Sequence, residues 1–314
     1  MLAIVVHGGA SAITSSPEQK EGVRIAGDRG MENLRGGGHA LDAVLAGGTY
    51  LEGTSLYNAG SGSLVRFDPR MGIFRIQMDA MIATSGGFQG GVIGVEGVKH
   101  PLLLAAEVPK RTPHLAMSWD EGLERIARET GLDPHPGPSE FAINRFLQSL
   151  SGMTEAEIAE MAPDWTRESI LRRLEELHGS GSKNLLSNGQ DCDTVAVLGL
   201  DSFGELAVGS STGGMGTMWI GRVGDVIERG SGWEIGPYAV VATTGLGEAI
   251  KQDRVAQTVY RRIVEEGRDP DAVCKEFVAG YDPSIPLGVV ALTIQGKIGK
   301  ASNRDMPVYS DVEL

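Results

Sequence analysis

One abrupt change of character constrains this chain more than anything else in it. Residues 178–193, HGSGSKNLLSNGQDCD, are rich in Gly, Ser and Asn and lack apolar periodicity, which predicts an exposed linker. Strand character resumes at Thr194 with TVAVLGLD, and ELAVGSST follows around Ser202-Phe203-Gly204 as the second arm of a hairpin. A buried strand therefore begins directly after a polar tether, with Thr194 presenting its hydroxyl at the edge of a sheet. If the bond before Thr194 were cut, that one residue would hold both a hydroxyl and a free α-amine, a nucleophile and a base.

The rest of the chain mixes the two periodicities. Leu2 to Val6 reads as a buried strand with a tight exit at His7-Gly8-Gly9-Ala10. A helix is expected to follow and to end near Gly36-Gly37-Gly38, and Ala40 to Leu51 has helical spacing with Asp42 near its start. From Tyr57 to Gly97 glycine-dense alternation predicts short strands. Residues 119–178 form a block of charged amphipathic helices, WDEGLERIARE, SEFAINRFLQSL, TEAEIAEMA and TRESILRRLEEL. YAVVATTG and GVVALTIQ are expected as further strands.

Composition narrows the function. With 314 residues, 41% of them hydrophobic, the chain can bury a sizeable core. A formal net charge of -13 opposes nucleic acid as the main ligand, because such binders need a basic face. No apolar run approaches the roughly 20 residues of a membrane span, and MLAIVVHGGA lacks the basic flank of a secretory signal. Cys192 and Cys274 are too few for a disulfide framework, which predicts reduced thiols and a cytoplasmic protein. Nucleotide-binding signatures fail: GSGSKN lacks the final hydroxyl residue of a P-loop, and GLGEAI and GMGTMW lack the last glycine of a dinucleotide fingerprint.

HGGA, LYNAGSG, MDAMI, DTVAV, SSTGGM, GRVGD and TTGLGE, in this order, resemble the plant-type L-asparaginase and isoaspartyl peptidase family from His7 to about Asn303. Each motif alone is weak; their joint order and spacing carry the resemblance. It implies an α+β chain folded as a four-layer αββα sandwich of the N-terminal-nucleophile hydrolase type. It implies a precursor cut between Asp193 and Thr194, with an α subunit of residues 1–193 (helical block 119–178 and linker 179–193 included) and a β subunit of residues 194–314. The two would form one folded domain, and two cleaved protomers a homodimer.

The resemblance also assigns roles. Thr194 matches the nucleophile and Thr212 a second threonine that orients it. Thr244 and Gly245 match oxyanion donors, and Asn58 an asparagine supporting the nucleophile region. Arg222 and Asp225 match a clamp for the α-carboxylate and α-ammonium of an L-aspartyl head group, with the Gly247 carbonyl helping to hold the ammonium. The implied substrate is a small molecule or dipeptide with that head group, joined through a β-amide. No cofactor is implied for catalysis, and the loop 51–61 corresponds to one that binds a structural sodium through backbone oxygens. Taken singly, each residue has a plainer reading: Thr194 starts a strand, Thr212 and Asn58 sit in turns, and GRVGD holds a loop ion pair. His7 is expected to be structural.

Two departures stand out. Asp193 and Ala196 replace glycines that flank the nucleophile in most asparaginases of the family; Asp before Thr occurs in related glycosylasparaginases and threonine aspartases. After Asp225, VIERGSGWEIGP replaces a segment like SPIIGAG, so Arg229, Trp233 and Glu234 are expected to alter selectivity. A glycosylasparaginase-like or threonine-aspartase-like hydrolase, or a catalytically retired binding relative, is the alternative.

Overall fold

A computed structural model describes residues 1–11, 14–178, 194–215 and 217–314. The expected linker, with Asp193 and Cys192, lies outside the described residues. The chain opens with strand β1 (Leu2–His7), helix α1 (Pro17–Arg35) and helix α2 (Ala40–Gly53). Helix α1 starts at a capping box, in which Ser16 and Gln19 satisfy each other's backbone N–H, and Pro17 fits the first turn where no N–H partner is needed. A short 3-10 turn at Gly60–Gly62 leads to the small hairpin β2 (Arg66–Asp68) and β3 (Ile73–Arg75), then to β4 (Met78–Thr84) and β5 (Gln89–Val95).

Helix α3 (Pro101–Arg111), strand β6 (Ala116–Ser118) and helix α4 (Glu121–Thr130) follow. Helices α5 (Glu140–Gly152), α6 (Glu155–Met161) and α7 (Arg167–His178) then pack with the β2–β3 hairpin around Phe67, Phe74, Phe146 and Trp165. After Thr194 come β7 (Val195–Leu200), β8 (Leu206–Thr212), β9 (Trp233–Ile235) and β10 (Ala239–Gly245). The chain closes with α8 (Gly247–Asp253), α9 (Val255–Val264), α10 (Pro270–Ala279), β11 (Leu287–Thr293), β12 (Ile298–Ser302) and β13 (Val308–Glu313).

The fold is thus a mixture of helices and sheets. A seven-stranded sheet runs in the order β13-β1-β7-β8-β4-β5-β6 and a four-stranded sheet in the order β12-β11-β10-β9. Side chains alternate across a strand, so each strand serves two layers. Ile4 and Val6 of β1 and Val195 and Val197 of β7 join Val23, Val44 and Leu102 of α1, α2 and α3 in one apolar cluster. Their neighbours Ala3, Val5, Ala196 and Leu198 join Val240, Ala242, Val290 and Leu292 of the smaller sheet in a second. The other face of that sheet, with Val241, Val289 and Ala291, packs on Val255, Val259 and Val273 of α9 and α10.

The expected strands, the first two helices, the helical block and the hairpin all form. Helices α3, α8, α9 and α10 and strands β6, β9, β12 and β13 form where the sequence raised no expectation. For β13 the reason is tertiary: its partly buried VYSDVE is a strand through pairing with β1, from Leu2 opposite Glu313 to His7 opposite Val308.

Candidate active site

Strand parity builds the site. In β7, Ala196, Leu198 and Leu200 face the space between the sheets. Two residues before Ala196, Thr194 stands on the same face by alternation. In β8 the inward set is Leu206 and Val208, so Ser210 and Thr212 continue it; in β4 it is Met81 and Ala83, so Asp79 does. In β10, Val240 and Ala242 are continued by Thr244. At one end of the strands the inter-sheet layer therefore turns from apolar to polar, and Thr194, Thr212 and Thr244 are all buried there.

The register brings these groups together. Val195 is paired with Ser211 and Asp79 with Thr212, so Thr194 lies beside Thr212 one step beyond the last β7–β8 pair. The Thr212 hydroxyl accepts from the Gly214 N–H at 3.0 Å, and Ser210 donates to the Val195 carbonyl at 3.0 Å. Asn58 is buried against the same turn. Its amide nitrogen donates to the Gly214 carbonyl at 2.6 Å, its side-chain oxygen accepts from Leu64 at 3.1 Å, and its carbonyl accepts from Gly213 at 3.0 Å. Across the gap, the Thr244 hydroxyl accepts from the Ala10 N–H at 3.3 Å, tying β10 to the exit of β1. Gly245 has φ +136, and a Cβ there would lie 2.1 Å from the Pro286 carbonyl oxygen, so only glycine fits.

Gly247 joins this end to the clamp residues: a Cβ on it would lie 2.7 Å from both Arg222 Nη2 and Asp225 Oδ1. Arg222 forks onto the half-exposed Glu248, with Nε to Oε1 and Nη2 to Oε2 both 2.8 Å. Asp225 is buried with Oδ2 lacking any hydrogen-bond partner among the described residues. Burial pushes its carboxyl up to about 6, against the opposing pull of a hydrogen bond from its own backbone N–H and of Arg222. A buried carboxylate oxygen without a partner is costly, and a cation beside it would offset that cost.

All the expected residues except Asp193 are thus gathered at one end of the two sheets. The sequence reading missed four that line or support it: Glu248 on the Arg222 fork, and the buried Arg66, Gln77 and Asp79 behind the clamp. The available signal was Asp79 itself, a lone acid inside the apolar run MDAMI, which needs dedicated partners when buried. Its Oδ1 accepts from Gly94 at 2.9 Å and its Oδ2 from Gly224 at 3.1 Å. Burial lowers the Arg66 guanidinium to about 10, opposed by the nearby Asp79 charge.

His7 is fully buried on the inter-sheet face, and burial lowers its imidazole to about 3, so it stays neutral at working pH. The segment after Asp225 folds back beside it: the Glu228 N–H donates to the Asp225 carbonyl at 2.9 Å, and a Cβ on Gly232 would lie 2.5 Å from the same oxygen. Trp233 lies in the apolar layer between the sheets, and Arg229 pairs with Glu234 at 2.8 Å along β9, so these side chains build a sheet edge. Among the described residues, His39, Asp201 and Glu205 come close enough to suggest metal ligation. The Asp201 carboxylate is already committed to the N–H groups of Ala40, Phe203 and Glu205. Cys274 is buried as a free thiol, and no described helix is long and apolar enough to cross a membrane.

A family profile described as Asparaginase matches residues 1–310. A plant-type L-asparaginase of Pyrococcus horikoshii is 30% identical over 99% of this chain and 96% of its own length. One of Pyrobaculum calidifontis is 32% identical over 96% of this chain and 94% of its own. An isoaspartyl peptidase/L-asparaginase of Nostoc is 28% identical over 99% and 92%.

Proposed function

We propose, for a chain that belongs to the asparaginase family, a self-processing threonine amidohydrolase that cleaves the β-amide of L-asparagine or of β-aspartyl dipeptides. Maturation begins when the Thr194 hydroxyl attacks the Asp193 carbonyl carbon. The peptide bond shifts to an ester, and water cleaves it, leaving a carboxylate on residue 193 and a free amine on Thr194. The subunits are then residues 1–193 and 194–314.

In the mature site the α-amine, with an ordinary pKa of about 7.7 to 8, takes the hydroxyl proton as Thr194 attacks the substrate's β-carbonyl. The Thr244 hydroxyl and the Gly245 N–H stabilise the developing oxyanion, and Thr212 orients the nucleophile while Asn58 holds the turn beside it. The amine protonates the leaving nitrogen, releasing ammonia or an amino acid. Water then hydrolyses the β-aspartyl ester, giving L-aspartate and restoring Thr194. Arg222 grips the α-carboxylate, which takes the place of Glu248 on the fork, while Asp225 and the Gly247 carbonyl receive the α-ammonium.

The observation that carries this reading is the meeting of three buried threonines with the buried Asp225 carboxylate, whose Oδ2 has no partner among the described residues, at one end of the sheets. The architecture we assign is the four-layer αββα sandwich, supported by the three stacked apolar clusters. A structural sodium suits loop 51–61 because neutral carbonyls ligate such an ion. Those of Leu56, Asn58 and Ala59 each take one protein hydrogen bond and keep a second lone pair, while those of Leu51 and Gly60 already take two. Catalysis needs no cofactor. A cytoplasmic homodimer of cleaved protomers completes the assignment.

The test is release of L-aspartate from L-asparagine and from a β-aspartyl dipeptide by the purified chain. Turnover of at least one, absent from Thr194→Ala, is expected. Equal activity in that variant would end the assignment, and no turnover of either substrate by wild type would favour a retired binding relative.

A further inference from the structure

We propose that Gln77 and Asp79 are positioning residues that aim Arg222 by pinning the backbone on either side of it. The inference rests on Arg222 being the substrate clamp. Gly221 donates to Gln77 Oε1 at 3.0 Å, and Gly224 donates to Asp79 Oδ2 at 3.1 Å. Arg222 lies between these two anchors. Gln77 immediately precedes β4 and Asp79 is its second residue, and these two bonds show both side chains directed at the same segment. Both are buried.

The anchors are themselves fixed. Gln77 Nε2 donates to Glu96 at 2.9 Å, which settles the orientation of the amide and leaves Oε1 for Gly221 and for Arg66 Nη1, also 2.9 Å away. Arg66 Nη2 donates to the Gln77 carbonyl at 2.8 Å and to the Gly213 carbonyl at 3.3 Å, one residue past Thr212. Asp79 Oδ1 accepts from Gly94 at 2.9 Å. Through these bonds the clamp segment is tied to Arg66 of β2 and Gly94 of β5.

The clamp segment needs such support. Two of the five residues from Gly221 to Asp225 are glycines, and Gly221 sits at φ +86, so the backbone has little stiffness of its own. A fork that grips a carboxylate through two parallel bonds is sensitive to small errors in aim. Glu248, rooted in α8, touches only the tip of the Arg222 side chain and leaves its backbone free.

Gln77→Met removes the acceptor at nearly constant volume, and Asp79→Asn weakens the second anchor. Each should raise KM for L-asparagine by about three- to tenfold, the worth of one buried hydrogen bond, with kcat changed by less than about twofold. Cleavage before Thr194 should remain complete, because maturation does not use the clamp. In an Arg222→Lys background, which has already lost the fork, adding Gln77→Met should change KM by less than about twofold.

Unchanged KM in both single variants, or an equal rise in the Arg222→Lys background, overturns the proposal while leaving the clamp itself intact. If Gln77→Met lowers Tm by more than about 5 °C, the isosteric Asp79→Asn decides on the same readouts. If Arg222→Lys itself leaves KM unchanged, the clamp reading fails and the proposal falls with it.

Discussion

The two ends of the layer between the sheets use the same strands and the same side-chain face, yet they do opposite work. At one end Leu198 of β7 sits between Val5 and Val208 of its neighbours and faces Val240 and Val290 of the other sheet. At the other end the same alternation presents Thr194, Thr212, Thr244 and Asp79, with Asp225 beside them. The apolar end contributes stability by removing surface from water. The polar end spends some of it: Asp225 is held buried with no hydrogen-bond partner for Oδ2 among the described residues. The contrast teaches that a site can be made by continuing a core strand two residues past its last apolar side chain.

The largest effect expected from breaking this contrast is at the apolar end. Leu198→Ala should cost about 2–5 kcal/mol of stability, read by denaturant unfolding, while leaving kcat of the folded fraction near wild type. Loss of activity out of proportion to unfolding would show that the two ends are not separable. At the polar end, Thr244→Val should cut kcat by on the order of a hundredfold with a smaller effect on stability, since it removes an oxyanion donor and leaves one N–H, that of Ala10, unpaired. A kcat within a few-fold of wild type would remove Thr244 from the oxyanion site.

Asp225→Asn sharpens the comparison because it should move function and stability in opposite directions. The folded carboxyl is raised to about 6 from 3.8. Between those values the native state holds a proton that the unfolded state has lost, so stability falls as pH rises through this window. Above pH 6 the charged group therefore costs on the order of 1–3 kcal/mol, and Asp225→Asn should recover part of it at pH 7.5. The same variant should bind substrate poorly. It should also lose the second, lower inflection of kcat/KM expected near pH 6, below that of the Thr194 amine, where protonated Asp225 would stop holding an ammonium. A destabilised variant at pH 7.5 would contradict this account of Asp225.

The smallest expected effect concerns Glu248. Its pair with Arg222 competes with a substrate carboxylate at a half-exposed position, so Glu248→Gln should lower KM a few-fold at most. A large rise in KM would mean that Glu248 supports the fork and does not compete for it.

How legible these regions were in the sequence follows the same division. Strands β1, β7, β8, β10 and β11 announce themselves as apolar runs, and α1 and α2 end at or near glycines. The helical block is read from its apolar spacing. Helix α3, PLLLAAEVPKR, carries Pro109 inside it and is too uniformly apolar at its start to show a period, and α8 is too short to show one. Strand β13 depends on β1 for its identity. In the site, Thr194, Thr212, Thr244, Arg222 and Asp225 were legible because they sit in ordered motifs. Gln77, Arg66 and Glu248 were not, because each acts through a partner distant in sequence and nothing local marks it. That Trp233 would be buried between the sheets was likewise not marked by anything local.

The central claim is that Thr194 is the nucleophile of both maturation and turnover. Intact-protein mass spectrometry of incubated wild-type and Thr194→Ala protein tests it most directly. The account predicts two fragments of wild type meeting between Asp193 and Thr194, and an uncut variant. An uncut wild-type chain that still hydrolyses L-asparagine, or a Thr194→Ala chain cut at the same bond, would contradict it.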